Sequence, residues 1–449
     1  MSALPRHVVT GALALIVGLV VAAIFRVAVG TNSYNFWGAV IVIPIAVAIN
    51  VALVRKVSRK SADAWLPSIL GTALALKIVG ALARYYVAYV LYAGQADAQR
   101  YNLYAAAHYP LWRNGIFRFE QGGKQGTEYM EAITTALYTV IGPSPLAAFV
   151  IFALFAFWGQ YLLYRAFCIA LPEGNRKRYA VLVLMLPSLL YWPSSIGKES
   201  WLMFFMGVTA LGVAKFFSRS GGAFLLLFVG AAGTALLRPH LSVLLFAALF
   251  VAQLFRPARV KGAGLVSKVA GVLVLGASAL LLTSQSASFL GIDDLSVQAV
   301  SDTIDEASQQ ASKGGAGTSA FDSRPISSPV DLPRAIVTVL FRPFPFEAHN
   351  AQMLVQSLEG LLLIYLLVKA WPQLRMLPSI LKRNPYVTFC VVYTMAFIWA
   401  FSGFGNFGLL ARQRVLMIPF FLVLLALPSV DTLKQQFAYR PRERVRVHR

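Results

Sequence analysis

The chain has 449 residues, of which 58% are hydrophobic and only 13% charged, and its mean hydropathy is +0.66. So few charges cannot cover the surface of a soluble domain, whereas uncharged apolar runs of roughly 18 residues or more read as membrane helices. A net charge of +22 invites a nucleic-acid reading, but the basic residues gather in particular loops, so we assign the charge to membrane topology and expect no nucleic-acid partner.

In chain order the apolar runs fall at 8–25, 36–54, 65–93, 145–168, 179–193, 200–217, 222–237, 239–254, 265–284, 350–370, 385–402 and 414–429. The expected fold is an all-α polytopic membrane protein of about 12 transmembrane helices. Only Arg6 and His7 precede the first run, and no small-residue cleavage site clearly follows it. It reads as a retained span and not as a removed signal peptide.

The connecting segments alternate in character. One set is short and basic: Arg55 to Lys60, Arg176 to Arg178, Lys215 with Arg219, Arg256 to Lys261, Arg375 to Arg383, and the tail from Lys434. With Arg6, Arg165, Lys268 and Lys369, this set holds 25 of the 40 basic residues but four of the 18 acids. Cytoplasmic loops collect Lys and Arg, so both termini are expected inside the cell, in the inner (plasma) membrane. Residues 1–430 form one transmembrane domain on this reading, and 431–449 a basic cytoplasmic tail able to touch anionic membrane lipids.

Two external segments result, 94–144 and 285–349. Each contains a piece too short to span, Glu131 to Gly142 and Ile336 to Phe341, expected as re-entrant or interfacial half-helices on the extracytoplasmic side. Ser312 to Ser328 reads as a flexible loop and Ser296 to Gln310 as an exposed acidic helix. Cys168 and Cys390 both sit in apolar runs, and the five histidines are scattered. Neither a disulfide framework, a metal site nor another cofactor is expected.

Ionisable residues near membrane depth are costly, and each is a functional hypothesis. Five clusters fall at helix ends on the expected outer side: Asp97, Arg100 and Tyr101; Lys198 and Glu199; Arg238 and His240; Arg342, Glu347 and His349; Arg412 and Arg414. Arginine forks match phosphate oxygens, and a carboxylate serves as a general base. Asp97 is therefore the candidate catalytic base, with Arg100, Lys198, Arg238, Arg342, Arg412 and Arg414 as donor-phosphate ligands. Plainer readings stand beside these: Lys198 and Glu199 as a helix cap, Arg412 and Arg414 as snorkelling cations, Arg238-Pro239-His240 as a kinked turn. Lys77 and Arg84 lie seven apart on one helical face, either lining a cavity or pairing with Glu359.

Several stretches carry a family resemblance. These are Asp97 to Tyr101, ALYTVIGPSPLAAFVIFALF, LMLPSLLYWPSSIGKESW and GLLARQRVLMIPFFLVLL. Over about residues 90–255 and 400–430 the chain resembles integral-membrane glycosyltransferases of the GT-C superfamily and their relatives, the O-antigen and exopolysaccharide polymerases. The resemblance implies a polyprenyl-(pyro)phosphate-linked sugar donor, a glycan or lipid acceptor, extracytoplasmic chemistry and a carboxylate base that maps onto Asp97. In this chain the acidic position follows the third span and stands alone, which leaves Glu199 and Glu347 as rivals. The alternative function is a transporter or flippase of a lipid-linked or anionic substrate; no internal duplication of the kind common in transporters is visible.

Overall fold

The computed structural model describes residues 6–94, 96–118, 125–256, 321, 323, 325–326 and 328–438. Among them every regular element is helical. The chain opens with α1 (Arg6–Thr31), α2 (Tyr34–Arg59) and α3 (Leu66–Tyr86), the last running on into a π-helix, Val87–Leu91. Then come α4 (Asp97–Arg113), α5 (Gln125–Ile141) and α6 (Pro145–Ala170). A broken element follows, α7 (Arg176–Met185) and α8 (Pro187–Tyr191), and after it α9 (Lys198–Ser218), α10 (Ala223–Leu237) and α11 (Pro239–Leu254). Further along the chain lie α12 (Leu332–Phe341) and α13 (Ala351–Lys369), then short α14 (Trp371–Leu374) and α15 (Leu377–Leu381). The chain finishes with α16 (Pro385–Phe401), α17 (Phe407–Arg414), α18 (Ile418–Leu424) and α19 (Val430–Ala438).

The helical membrane-protein class holds, and the span count comes out coarser than expected. Among the described residues five helices are long and apolar enough to cross a bilayer: α2, α3 with its π-helical extension, α6, α9 and α13. The pair α17 and α18, bent by 65°, makes a sixth if it counts as one broken span. The runs at 222–237, 239–254 and 385–402 become helices of 15, 16 and 17 residues. At 1.5 Å per residue these reach about 22 to 26 Å, short of the roughly 30 Å hydrocarbon core. The run at 179–193 breaks at Pro187, where the ring bars α8 from continuing α7. The run at 265–284, the acidic stretch 296–310 and most of the loop 312–328 lie outside the described residues.

Packing centres on α6, buried along most of its length, with α9 against it and α10 against α9. Water-driven burial is unavailable between helices in lipid, so close backbone approach carries the association. Gly159 and Gly207 supply it: a Cβ on Gly207 would sit 2.2 Å from the Gly159 carbonyl oxygen. The two stretches expected as half-helices fall in α5, 17 residues packed on α4 and α10, and in α12, ten residues packed on α13 and α16.

Candidate functional site

Four helices begin at one place. Their first residues, or the caps before them, line a cavity of about 640 Å³: Ala96 and Asp97 for α4, Gly197 for α9, Asn350 for α13 and Asn406 for α17. The first turn of each helix has N–H groups without intrahelical partners, and the peptide dipoles add up to about half a positive charge there. Asn350 and Asn406 each spend Oδ1 on the backbone of their own helix, accepting from Met353 N at 2.8 Å and Leu409 N at 3.1 Å. Such caps fix the entry angle of each helix and leave the side-chain amide Nδ2 as the group on offer.

A chain of charges runs along the wall. Glu199, with its side chain 3% exposed, holds two guanidinium groups on Oε1: Arg238 Nη2 at 2.9 Å and Arg412 Nε at 2.9 Å. Arg412 then reaches outward, and its Nη1 donates to Asp97 Oδ2 at 2.7 Å. Arg238 turns its other amino group to Gln413 Oε1. Glu199 is thus the buried anchor, Arg412 the bridge, and Asp97 the end of the chain, with its side chain 58% exposed at the cavity. Lys198 stands behind this wall and donates to Thr127 Oγ1 on α5 at 3.1 Å. Tyr101, one turn along α4 from Asp97, is buried, and its hydroxyl is pushed up in pKa by that burial and by the charges of Asp97 and Glu199. His240 is half-buried on α11, within electrostatic reach of Arg238 and Lys198.

A further part of the wall comes from the end of α3 and its π-helical extension. Arg84 lines the cavity with Ala88 and Tyr92, and its guanidinium lies 4.9 Å from the ring centres of both Tyr191 and Trp192. Among the described residues it has no carboxylate partner. Flat contact with two aromatic rings holds the cation in place without neutralising it. The close approach of α3 to α8 depends on Gly80, where a Cβ would fall 2.4 Å from the Leu190 carbonyl oxygen. Lys77, one turn before Gly80, donates to Leu189 O at 2.8 Å, and Glu359 on α13 accepts from Ser188 N at 2.7 Å. Lys77 and Glu359 therefore grip neighbouring peptide groups of α8 and do not pair with each other. The gripped segment leads straight into Trp192, Ser195 and Gly197 of the cavity wall.

Of the cations expected around a phosphate, the structure brings Arg412 to the cavity and sets Arg238 and Lys198 behind it. It does not bring the other three. Arg100 pairs with Glu131 at 2.9 Å, its side chain 63% exposed. Arg342 pairs with Glu347 five residues on and lies over Phe321 at 4.5 Å and Phe407 at 5.1 Å. Arg414 is wholly buried, with Nη1 donating to Arg342 O at 2.7 Å and Leu340 O at 3.3 Å, and so ties α17 to the end of α12. His349 is exposed, beside the cap Asn350. Among the described residues no group of three His, Cys, Asp or Glu stands together to hold a metal.

Carboxamides complete the site, and sequence reasoning passed over them. Gln352 and Gln356 of α13 line the cavity with Asn350 and Asn406. An asparagine directly before an apolar helix is a legible cap signal, as at Asn350 and Asn406; an isolated glutamine inside an apolar run gives no comparable cue. Comparison with family models, with curated proteins and with solved structures finds no match to this chain.

Proposed function

We propose that the protein is a membrane glycosyltransferase, or a polysaccharide polymerase, using a polyprenyl-(pyro)phosphate-linked sugar at the extracytoplasmic face of the plasma membrane. The observation that carries this reading is the convergence of four helix N-termini, Arg412 and Arg84 on a cavity whose wall also offers the Asp97 carboxylate. Helix N-termini and guanidinium forks both bind phosphate oxygens. The volume lies within the range of about 300 to 1,000 Å³ usual for ligand pockets.

In this reading the donor's polyprenyl tail stays in lipid while its phosphate enters the cavity. Asp97 accepts the proton of an acceptor hydroxyl on a glycan or lipid. The acceptor oxygen attacks the anomeric carbon, and the bond from that carbon to the phosphate oxygen breaks. The departing lipid phosphate takes the bonding electron pair, and its added charge is met by Arg412, Arg84 and the helix starts. Glu199 and Arg238 orient Arg412 and take no proton. The concentration of Lys and Arg in one set of loops supports cytoplasmic termini and an outward-facing cavity.

A transporter reading draws on one specific observation, the broken helix α7–α8 gripped by Lys77 and Glu359 within the bundle. The deciding experiment offers nanodisc-embedded protein a panel of radiolabelled polyprenyl-phosphate and polyprenyl-pyrophosphate sugars with membrane extract as acceptor. Transfer by wild type that collapses in Asp97→Asn supports the enzyme. Absence of transfer together with movement of the labelled lipid across a liposome membrane overturns it in favour of transport.

A further inference from the structure

Gln356 is unlike the other polar groups of the cavity. It lies within α13 and is 4% exposed, yet neither its Nε2 nor its Oε1 has a hydrogen-bond partner in the protein. A buried carboxamide left without partners costs about 1 to 3 kcal/mol, and native proteins rarely leave one so. It is one of the residues that line the cavity, so a ligand seated there lies against it. One turn deeper on the same helix face, Glu359 keeps Oε2 on Ser188 N and leaves Oε1 without a partner. Toward the mouth, Asn350 and Gln352 continue the line of carboxamides along α13, with Asn406 on α17.

We infer that the α13 wall is a sugar subsite, in which Gln356 hydrogen-bonds the hydroxyls of a neutral sugar ring while Trp192 faces the same cavity as an apolar surface. The chemistry follows from what each group can do. A carboxamide both donates and accepts, as a sugar hydroxyl does, and can engage two neighbouring hydroxyls at once. The carboxamides of this wall carry no charge, so they recognise hydroxyls without selecting for an ionised substituent. The phosphate is held elsewhere, at the helix starts with Arg412 and Arg84. The inference deepens the glycosyltransferase reading and rests on it, since the sugar arrives attached to that phosphate.

The test separates the two. Protein in nanodiscs is titrated with a polyprenyl monophosphate bearing no sugar, and with the same lipid phosphate bearing glucose, galactose, mannose or glucuronic acid, for wild type and Gln356→Met. Methionine keeps the length of the side chain and removes both polar atoms. The expected result is that at least one neutral sugar tightens binding in wild type, and that Gln356→Met removes about tenfold of that affinity. Binding of the sugar-free phosphate and the melting temperature of the ligand-free protein stay unchanged or rise, because an unpartnered amide has been removed. A sugar-free lipid phosphate that binds while no neutral sugar improves on it overturns the subsite alone. So does a Gln356→Met loss that is equal for both lipids, and so does preference for glucuronic acid. Failure of wild type to bind any of these lipids overturns the glycosyltransferase reading and the subsite with it.

Discussion

Asp97 and Arg412 are 315 positions apart in the chain and meet at 2.7 Å, joining the first residue of α4 to the end of α17. Arg412 also rests on Glu199, so the exposed carboxylate is tied through one guanidinium to a buried one. A carboxylate held this way has a fixed position before any ligand arrives, which is what would let proximity contribute to a rate in the proposed reaction.

The first prediction concerns Asp97 as the proposed base. Asp97→Asn keeps the shape and a hydrogen bond to Arg412 but removes the proton acceptor. Sugar transfer should fall about a hundred- to ten-thousand-fold, with the melting temperature little changed. Radiolabelled transfer in nanodiscs and thermal unfolding of the same sample check both halves.

Glu199 should behave differently. Its removal leaves Arg238 and Arg412 facing each other without their shared counter-charge, in a place only 12% and 19% exposed. Glu199→Ala should cost about 3 to 5 kcal/mol of stability, because an uncompensated buried charge remains. The control is Arg176→Ala: its pair with Asp63 spans 3.9 Å with both side chains partly exposed, and such pairs are worth under about 1 kcal/mol. Thermal unfolding in detergent compares the two.

Gly80 gives a packing test with a functional consequence. Gly80→Ala sets a Cβ 2.4 Å from a backbone oxygen, so α3 and α8 must separate. The expected cost is about 1 to 3 kcal/mol. Arg84 moves with α3 away from Tyr191 and Trp192, so affinity for polyprenyl phosphate should drop as well, read by titration in nanodiscs.

Glu347 sets a pH dependence outside the membrane spans. Burial works against its charge, but hydrogen bonds from Arg342 and from Phe344 N–H outweigh it and hold its pKa below the ordinary carboxylate value. A depressed carboxylate adds stability above the unfolded-state value of about 4.3, and that stability is lost as pH falls through the lower folded value. Glu347→Gln should therefore lower stability at neutral pH and flatten its decline on the acid side, as measured by melting temperature from about pH 7 to about pH 3.

Much of this site was legible before any fold was known, and the reason is electrostatic. Asp97, Glu199, Arg238 and Arg412 stand out in an apolar chain because charge near a membrane demands a partner. Sequence could not say which charge each would find, since the partners come from α4, α9, α11 and α17. Arg342 and Arg414 looked equivalent to Arg412. The first is paired with Glu347 five residues away, and the second turns one amino group to two backbone carbonyls, both outcomes of how α12 ends. Gln356 was invisible for the opposite reason: one amide within a hydrophobic run disturbs neither periodicity nor charge. The twelve expected spans met a similar difficulty, because hydropathy registers an apolar run whether or not a proline such as Pro187 divides it.

The four helix starts have one more consequence. An attraction built from peptide units carries no proton to lose and no side chain to swing aside. Neither acidity nor a single substitution can switch it off. The cavity would go on drawing anions after Arg412 or Arg84 was replaced, so such variants should weaken a phosphate-bearing ligand by steps and keep a residual grip. That leaves the lining side chains free to change while the skeleton beneath keeps its pull.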